Sequence, residues 1–244
     1  MSLTRVAPVF PNPVQGVLFD LDGTLIDSVP DIAASLNLAL QEAGYRSVAE
    51  PKVREWVGNG SGKLVDRALQ HLLGQPPQKP VSDTVFAEFL RLYRIHICNK
   101  STLYPGVLST LETIHRAGLK MGVVTNKPLQ HSEALLSRMQ ILDFFTCVVG
   151  GDSLAVRKPD PAPVLHACKT LEVAPKNSVM VGDSRADVVA AQRANCPVIC
   201  LTYGYNQGQD LESLNPSALI EDFSLIPELI MIHPHRSAQH ADQT

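Results

Sequence analysis

The sequence predicts an α/β fold, a doubly wound parallel sheet whose first strand is separated from the others by an inserted α-helical domain. Three observations predict it. From residue 105 onward, short apolar runs at 120–125, 146–150, 178–182 and 198–202 alternate with helical periodicity, the pattern of a parallel sheet covered on both faces. An earlier apolar run at 16–19 precedes them by about a hundred residues, where about thirty would complete a strand–helix–strand unit. Carboxylates and hydroxyls follow the strands directly, and a lysine comes on the loop after one of them, at the edge where open α/β sheets hold ligands.

The elements follow in order. Gly16-Val17-Leu18-Phe19 is the first strand, stopped by Gly23-Thr24. A helix from Asp31 to Ala43 aligns Ile32, Leu36, Ala39 and Leu40 and stops at Gly44. A second from Gly62 to Leu73 aligns Leu64, Val65, Ala68 and Leu72 and stops at Gly74. Pro76, Pro77 and Pro80 read as a loop, and Ser82 to Cys98 as a third helix with Phe86, Phe89, Leu90, Tyr93 and Ile97 on one face. Thereafter helices are expected at 107–117, 129–139, 161–171, 185–194 and 225–232, with a weaker strand at 218–220. The domain limits are set at 28–101 for the helical insert and at 1–27 plus 102–244 for the α/β core, with 233–244 a polar, frayed tail.

Composition narrows the function classes. Of 244 residues 45% are apolar and 18% charged, with a formal net charge of −3, so no basic excess points to nucleic acid. The first residues lack the apolar stretch of a signal peptide and no run approaches membrane-spanning length, so a soluble cytoplasmic protein without membrane partners is expected. Five cysteines without a CxxC pair suit a reduced compartment, and Cys147 and Cys200 read as core residues.

The most informative stretch is Asp20-Leu21-Asp22-Gly23-Thr24-Leu25-Ile26-Asp27-Ser28. Residues two apart point the same way from a strand, so Asp20 and Asp22 can face one small volume. Two carboxylates that close repel, and the site needs a divalent cation, a proton or a lysine. A strand ending in a turn explains Asp22-Gly23 but gives no reason for Asp20. Thr125-Asn126 brings a hydroxyl and an amide to the same edge, both able to bond phosphoryl oxygens. Arg157-Lys158-Pro159-Asp160-Pro161 brings cations, and Gly182-Asp183-Ser184-Arg185-Ala186-Asp187 two more acids. Gly151-Asp152-Ser153 imitates that last run but carries Val156 where the second acid would stand.

The run at 20–28 matches the first motif of the haloacid dehalogenase-like hydrolases, DxDGT(L/V)xDS, at every position, and the chain resembles that family from about residue 16 to 232. The resemblance implies a Rossmann-like core and assigns roles. Asp20 would be the nucleophile forming an aspartyl-phosphate, and Asp22 the general acid and then base. Thr125 would bind phosphate, and Lys158, chosen over Arg157 by the KPxP run, would sit beside the nucleophile. Asp183 would bind Mg2+ with Asp20 and the Asp22 backbone carbonyl, and Asp187 would complete or orient that shell and hold Lys158. Dehalogenating members lack the acid at the position of Asp22, so phosphate chemistry is implied.

The insert has the size and place of a cap that closes over the site. Its Val53-Arg54-Glu55-Trp56-Val57-Gly58-Asn59-Gly60 segment resembles the pattern of the phosphoglycolate phosphatase family, as does Thr202-Tyr203-Gly204-Tyr205-Asn206. That resemblance implies 2-phosphoglycolate as substrate, in a monomer or homodimer. Free N–H groups at Gly58, Asn59 and Gly60 would hold the second anionic group, with Arg54 or Lys63 as possible cations; the same loop also reads as a plain helix–helix connector. Trp56 reads as a packing residue. Sugar-phosphate, nucleotide or pyrophosphate phosphatases and phosphosugar mutases share the core motifs. A non-catalytic phospho-acceptor is disfavoured by Asp22 and the insert.

Overall fold

The computed structural model describes Phe10 and residues 12–231, and the tail at 233–244 lies outside them. A six-stranded parallel sheet has the order β5-β4-β1-β6-β7-β8, where β1 is Gly16–Phe19, β4 Lys120–Val124, β5 Cys147–Val149, β6 Ser178–Gly182, β7 Val198–Leu201 and β8 Ala218–Ile220. Two short strands, β2 (Ile26–Asp27) and β3 (Thr102–Leu103), pair antiparallel beside it. Between them lie α1 (Val29–Glu42), α2 (Glu50–Arg54), α3 (Ser61–Leu73) and α4 (Lys79–His96), the helical cap. The sheet is flanked by α5 (Val107–Arg116), α6 (Leu129–Arg138), α7 (Ala162–Thr170), α8 (Arg185–Arg193) and α9 (Ile226–Met231). No helix among the described residues is long and apolar enough to cross a membrane.

The period of two along the strands sorts their side chains into two cores. Val17, Phe19, Val179, Val181, Ile199 and Leu201 join the core on the face that also reaches the cap. Leu18, Met180, Val198 and Cys200 turn to the opposite face, against α7 and α8. Being covered on both faces makes the strands continuously apolar, which is why they were visible as runs. Cys147 differs from the expectation: it lies near the sheet's edge on β5 and is only half-buried, whereas Cys200 is fully buried.

Three further features depart from the sequence reading. Pro80 does not interrupt a loop but opens α4, because a proline in the first turn removes an N–H that has no helical partner anyway. Helix α2 went unforeseen for the same reason in a shorter segment, with Pro51 in its first turn. The β2–β3 pair was unforeseen because two-residue strands carry no periodicity.

That pair gathers the two chain crossings between core and cap, and Asp31 ties them. Its carboxylate accepts hydrogen bonds from Lys100 N at 2.9 Å, Ser101 N at 2.8 Å and Ser101 Oγ at 2.6 Å, so the start of the first cap helix grips the returning chain. Asp31→Ala removes a buried acceptor and leaves those donors unpaired. It is expected to destabilise the protein by about 2–3 kcal/mol, measured by urea unfolding. A loss below about 0.5 kcal/mol would show that solvent replaces the carboxylate.

Candidate active site

The strand order reverses at β1, which carries β4 on one side and β6 on the other. That switch point places the residue after each strand at one crevice. Asp20 follows β1, its N–H bound to Val181 O at 2.9 Å, and Thr125 follows β4, its N–H bound to Val149 O at 2.9 Å. Asp183 follows β6, and Lys158 arrives on the loop after β5. Asp20, Asp22, Thr125 and Asn126 line one cavity together with Gly58 and Gly60 of the cap.

The two acids of the first motif do share this cavity, but each has its own lysine. Lys158 Nζ lies 3.0 Å from Asp20 Oδ1 and 2.5 Å from Asp187 Oδ1, and donates to Val124 O at 2.6 Å. Lys127 Nζ lies 2.9 and 3.0 Å from the two oxygens of Asp22, which also accepts from Ser28 Oγ at 2.6 Å. Arg157, the cation adjacent to Lys158, is exposed. Lys127 was missed from sequence. Its one signal was its place directly after Thr125-Asn126, and a lysine before Pro128 in a loop ordinarily reads as solvated.

Asp183 is held in a slot that glycine leaves open. Thr24 Oγ1 donates to its Oδ1 at 2.6 Å and Tyr205 N to its Oδ2 at 2.6 Å. A Cβ on Gly204 would stand 2.3 Å from Asp183 Cβ, and one on Gly23, whose φ is +88°, 2.4 Å from its Oδ2. Asp187 has both oxygens occupied: Oδ1 by Lys158 and Oδ2 by Ser184 N at 3.0 Å and Ser184 Oγ at 2.6 Å. It therefore holds Lys158 and caps α8 at once.

Asp20, Asp183 and Asp187 bring ligand oxygens within 4.8 Å of one another. Three buried carboxylates face one ammonium, and the proton affinities of Asp20 and Asp183 show the imbalance. Burial pushes Asp20 up to about 7 against the pull of Lys158, with Asp187 adding to the rise. Burial, then Asp187 and Asp20, push Asp183 well above the carboxylate range. Lys158 rises despite burial, because Asp187 and Asp20 outweigh it. Such excess negative charge, built from oxygen donors alone, fits a hard divalent cation.

The cap residues divide. Gly58 and Gly60 line the cavity with φ of +112° and +93°, conformations that favour glycine. The Asn59 side chain turns away, its Oδ1 accepting from Arg67 Nη2 at 2.7 Å and Gln207 Nε2 at 3.2 Å. Arg54 is also elsewhere: Asp27 holds it at 3.1 and 3.2 Å, Glu50 at 3.4 Å, and it stacks over the Tyr205 ring. Lys63 is absent from the cavity lining. Trp56 packs against the core and His71, as a packing residue would. Asn126 departs from its expected role, since its amide N–H groups are taken by Gly58 O and Lys158 O, both at 3.1 Å. Its side chain braces cap against core, and only its backbone N–H remains for a phosphoryl oxygen. The decoy Asp152 likewise braces a loop, accepting from Leu129 N at 2.7 Å.

Fold and site together define a hydrolase: the haloacid dehalogenase-like hydrolase family profile matches residues 17–201, and the chain belongs to that family. Its relatives are more particular. The chain is 40% identical to the phosphoglycolate phosphatase of Nitrosococcus oceani over 88% of its own length and 95% of the relative's. It is 42% identical to that of Psychrobacter arcticus, over 90% and 97%. The crystal structure of a protein described as a predicted phosphoglycolate phosphatase from Haemophilus somnus superposes with a TM-score of 0.85 at 36% identity, covering 90% of this chain and 99% of that one.

Proposed function

We propose that the protein is a Mg2+-dependent phosphoglycolate phosphatase, converting 2-phosphoglycolate and water to glycolate and phosphate through an aspartyl-phosphate on Asp20. The observation that carries this reading is the separate pairing of the two acids, Asp20 with Lys158 and Asp22 with Lys127. Lys158 aims one carboxylate, Asp20, as the nucleophile, while Lys127 and Ser28 hold the other, Asp22, in place for proton transfer. The relatives' names support the substrate.

In the first half-reaction an Asp20 oxygen attacks phosphorus, the ester P–O bond breaks, and Asp22 gives its proton to the departing glycolate oxygen. In the second, Asp22 takes a proton from water as that water attacks the same phosphorus. The Asp20–phosphorus bond breaks, freeing phosphate. Lys158 neutralises charge beside the nucleophile, and Asp187 keeps it there. The Thr125 hydroxyl and the Asn126 backbone N–H are placed for phosphoryl oxygens. Asp20, the Asp22 backbone carbonyl and Asp183 would hold Mg2+, which when bound neutralises the phosphate dianion. Residues 28–101 serve as the cap that excludes water, with the glycines at 58 and 60 over the substrate.

The test is Mg2+-dependent phosphate release from 2-phosphoglycolate, glucose phosphates, nucleoside monophosphates and pyrophosphate. A kcat/KM for 2-phosphoglycolate at least about 100-fold above the others is expected, some 2.7 kcal/mol in the transition state. A better sugar phosphate or a flat profile would keep a phosphatase and remove this substrate.

A further inference from the structure

We propose that Lys127 is the residue that recognises the substrate's second anionic group, a carboxylate one carbon from the ester oxygen. The inference rests on the phosphoglycolate reading and names the group that would enforce it. Of the residues lining the cavity Lys127 alone is a cation, and its side chain is only 3% exposed; Lys158 is held beside Asp20 and Asp187, and Arg157 Nη1 lies against Gly60 without joining the lining. The cations suggested by the sequence are elsewhere, Arg54 bound to Asp27 and Lys63 outside the lining. Much of the remaining cap wall is Ile32, Val57, Leu64 and Phe89, which offers an anion nothing.

Connectivity makes the placement specific. Asp22 must reach the ester oxygen to protonate it, and in 2-phosphoglycolate that oxygen and the carboxylate are attached to the same carbon. A group that grips the carboxylate must therefore stand beside Asp22, and Lys127 Nζ stands 2.9 Å from it. The ammonium's other partner is the hydroxyl of Tyr93 on α4, at 2.8 Å. A carboxylate oxygen makes the stronger, charge-assisted bond and can displace that neutral oxygen. The N-terminus of α3, beginning at Ser61, opens on the same cavity from the cap side. A carboxylate between Lys127 and α3 would link core to cap. A neutral substituent there would leave the ammonium on Tyr93 and forgo the link. Lys127 is thus specificity-determining, and it also steadies Asp22.

The experiment compares kcat/KM for 2-phosphoglycolate and for 2-hydroxyethyl phosphate, which replaces the carboxylate by a neutral alcohol. Both are measured in the wild type, Lys127→Met and Lys127→Arg, each checked for folding by circular dichroism. Both rates fall in Lys127→Met because Asp22 loses its partner, so the informative quantity is their ratio. Removing one member of a buried charge pair is expected to cut the preference for the carboxylate substrate by at least about 30-fold. Lys127→Arg is expected to keep most of it. An unchanged ratio in Lys127→Met, with both rates lowered alike, would overturn the proposal and leave Lys127 a support for Asp22. A wild type without preference would overturn the substrate reading as well, and the wild-type measurement alone shows it. Should Lys127→Met not fold, the uncharged Lys127→Gln supplies the same ratio.

Discussion

Asp20→Asn is expected to lower kcat on 2-phosphoglycolate by at least about 10,000-fold, some 5.4 kcal/mol, without lowering the melting temperature. The catalytic loss follows from the amide's poor nucleophilicity. The unchanged stability follows from the site's charge balance. Asp20, Asp183 and Asp187 crowd three buried carboxylates around Lys158, and Asp20 carries a proton affinity raised to about 7 by burial and by Asp187. Replacing it with a neutral isostere removes one of three mutually repelling charges. The amide oxygen still accepts from Leu21 N, a bond of 2.7 Å in the native protein, and from Lys158. Without divalent ions the variant is expected to melt no lower than the wild type, a stability gained where function demands strain. Appreciable turnover in Asp20→Asn would remove the aspartyl-phosphate mechanism, and a clear drop in melting temperature would remove the repulsion argument.

Lys158→Met is expected to fail in both respects. The methionine nearly matches the stem in volume but leaves Asp187 and Asp20 without their shared ammonium at a side chain only 1% exposed. Stranding buried charge costs about 3–5 kcal/mol, which urea unfolding would read directly. The loss of charge stabilisation beside the nucleophile is expected to lower kcat by about 1,000-fold or more in whatever fraction folds. The contrast is the test: two partners of one ion pair, one removable without cost to stability and the other not. Equal stability losses in the two variants would mean that Lys158 and Asp20 act as an ordinary pair, with no excess of negative charge around them.

Much of the candidate site was legible because its residues sit in short runs at or after strand ends. Asp20 and Asp22, Thr125, Lys158, Asp183 and Asp187 each follow an apolar strand, and parallel topology carries every strand's carboxyl end to one edge. The cap residues were harder to read. Arg54 looked like a substrate cation, yet Asp27, a member of the first motif itself, holds it in a bidentate pair. Asn126 looked like a phosphate ligand, yet its amide joins Gly58 to Lys158. Nothing local distinguishes these roles, because a side chain's partner across 27 or 68 positions is a property of packing.

By itself the sequence determined the order of the main-sheet strands and of most helices, the insertion after the first strand, and the acids and lysine proposed for the chemistry, since periodicity and strand-end motifs are local signals. Only the tertiary structure decided how charge is shared. It gave Lys127 to Asp22 and Tyr93 and withdrew Arg54 from the cavity. The reason is physical: whether an ion pair forms, and what it does to its members, depends on burial and on distances of about 3 Å. Those distances are set by the sheet and by the cap above it, and no spacing along the chain encodes them.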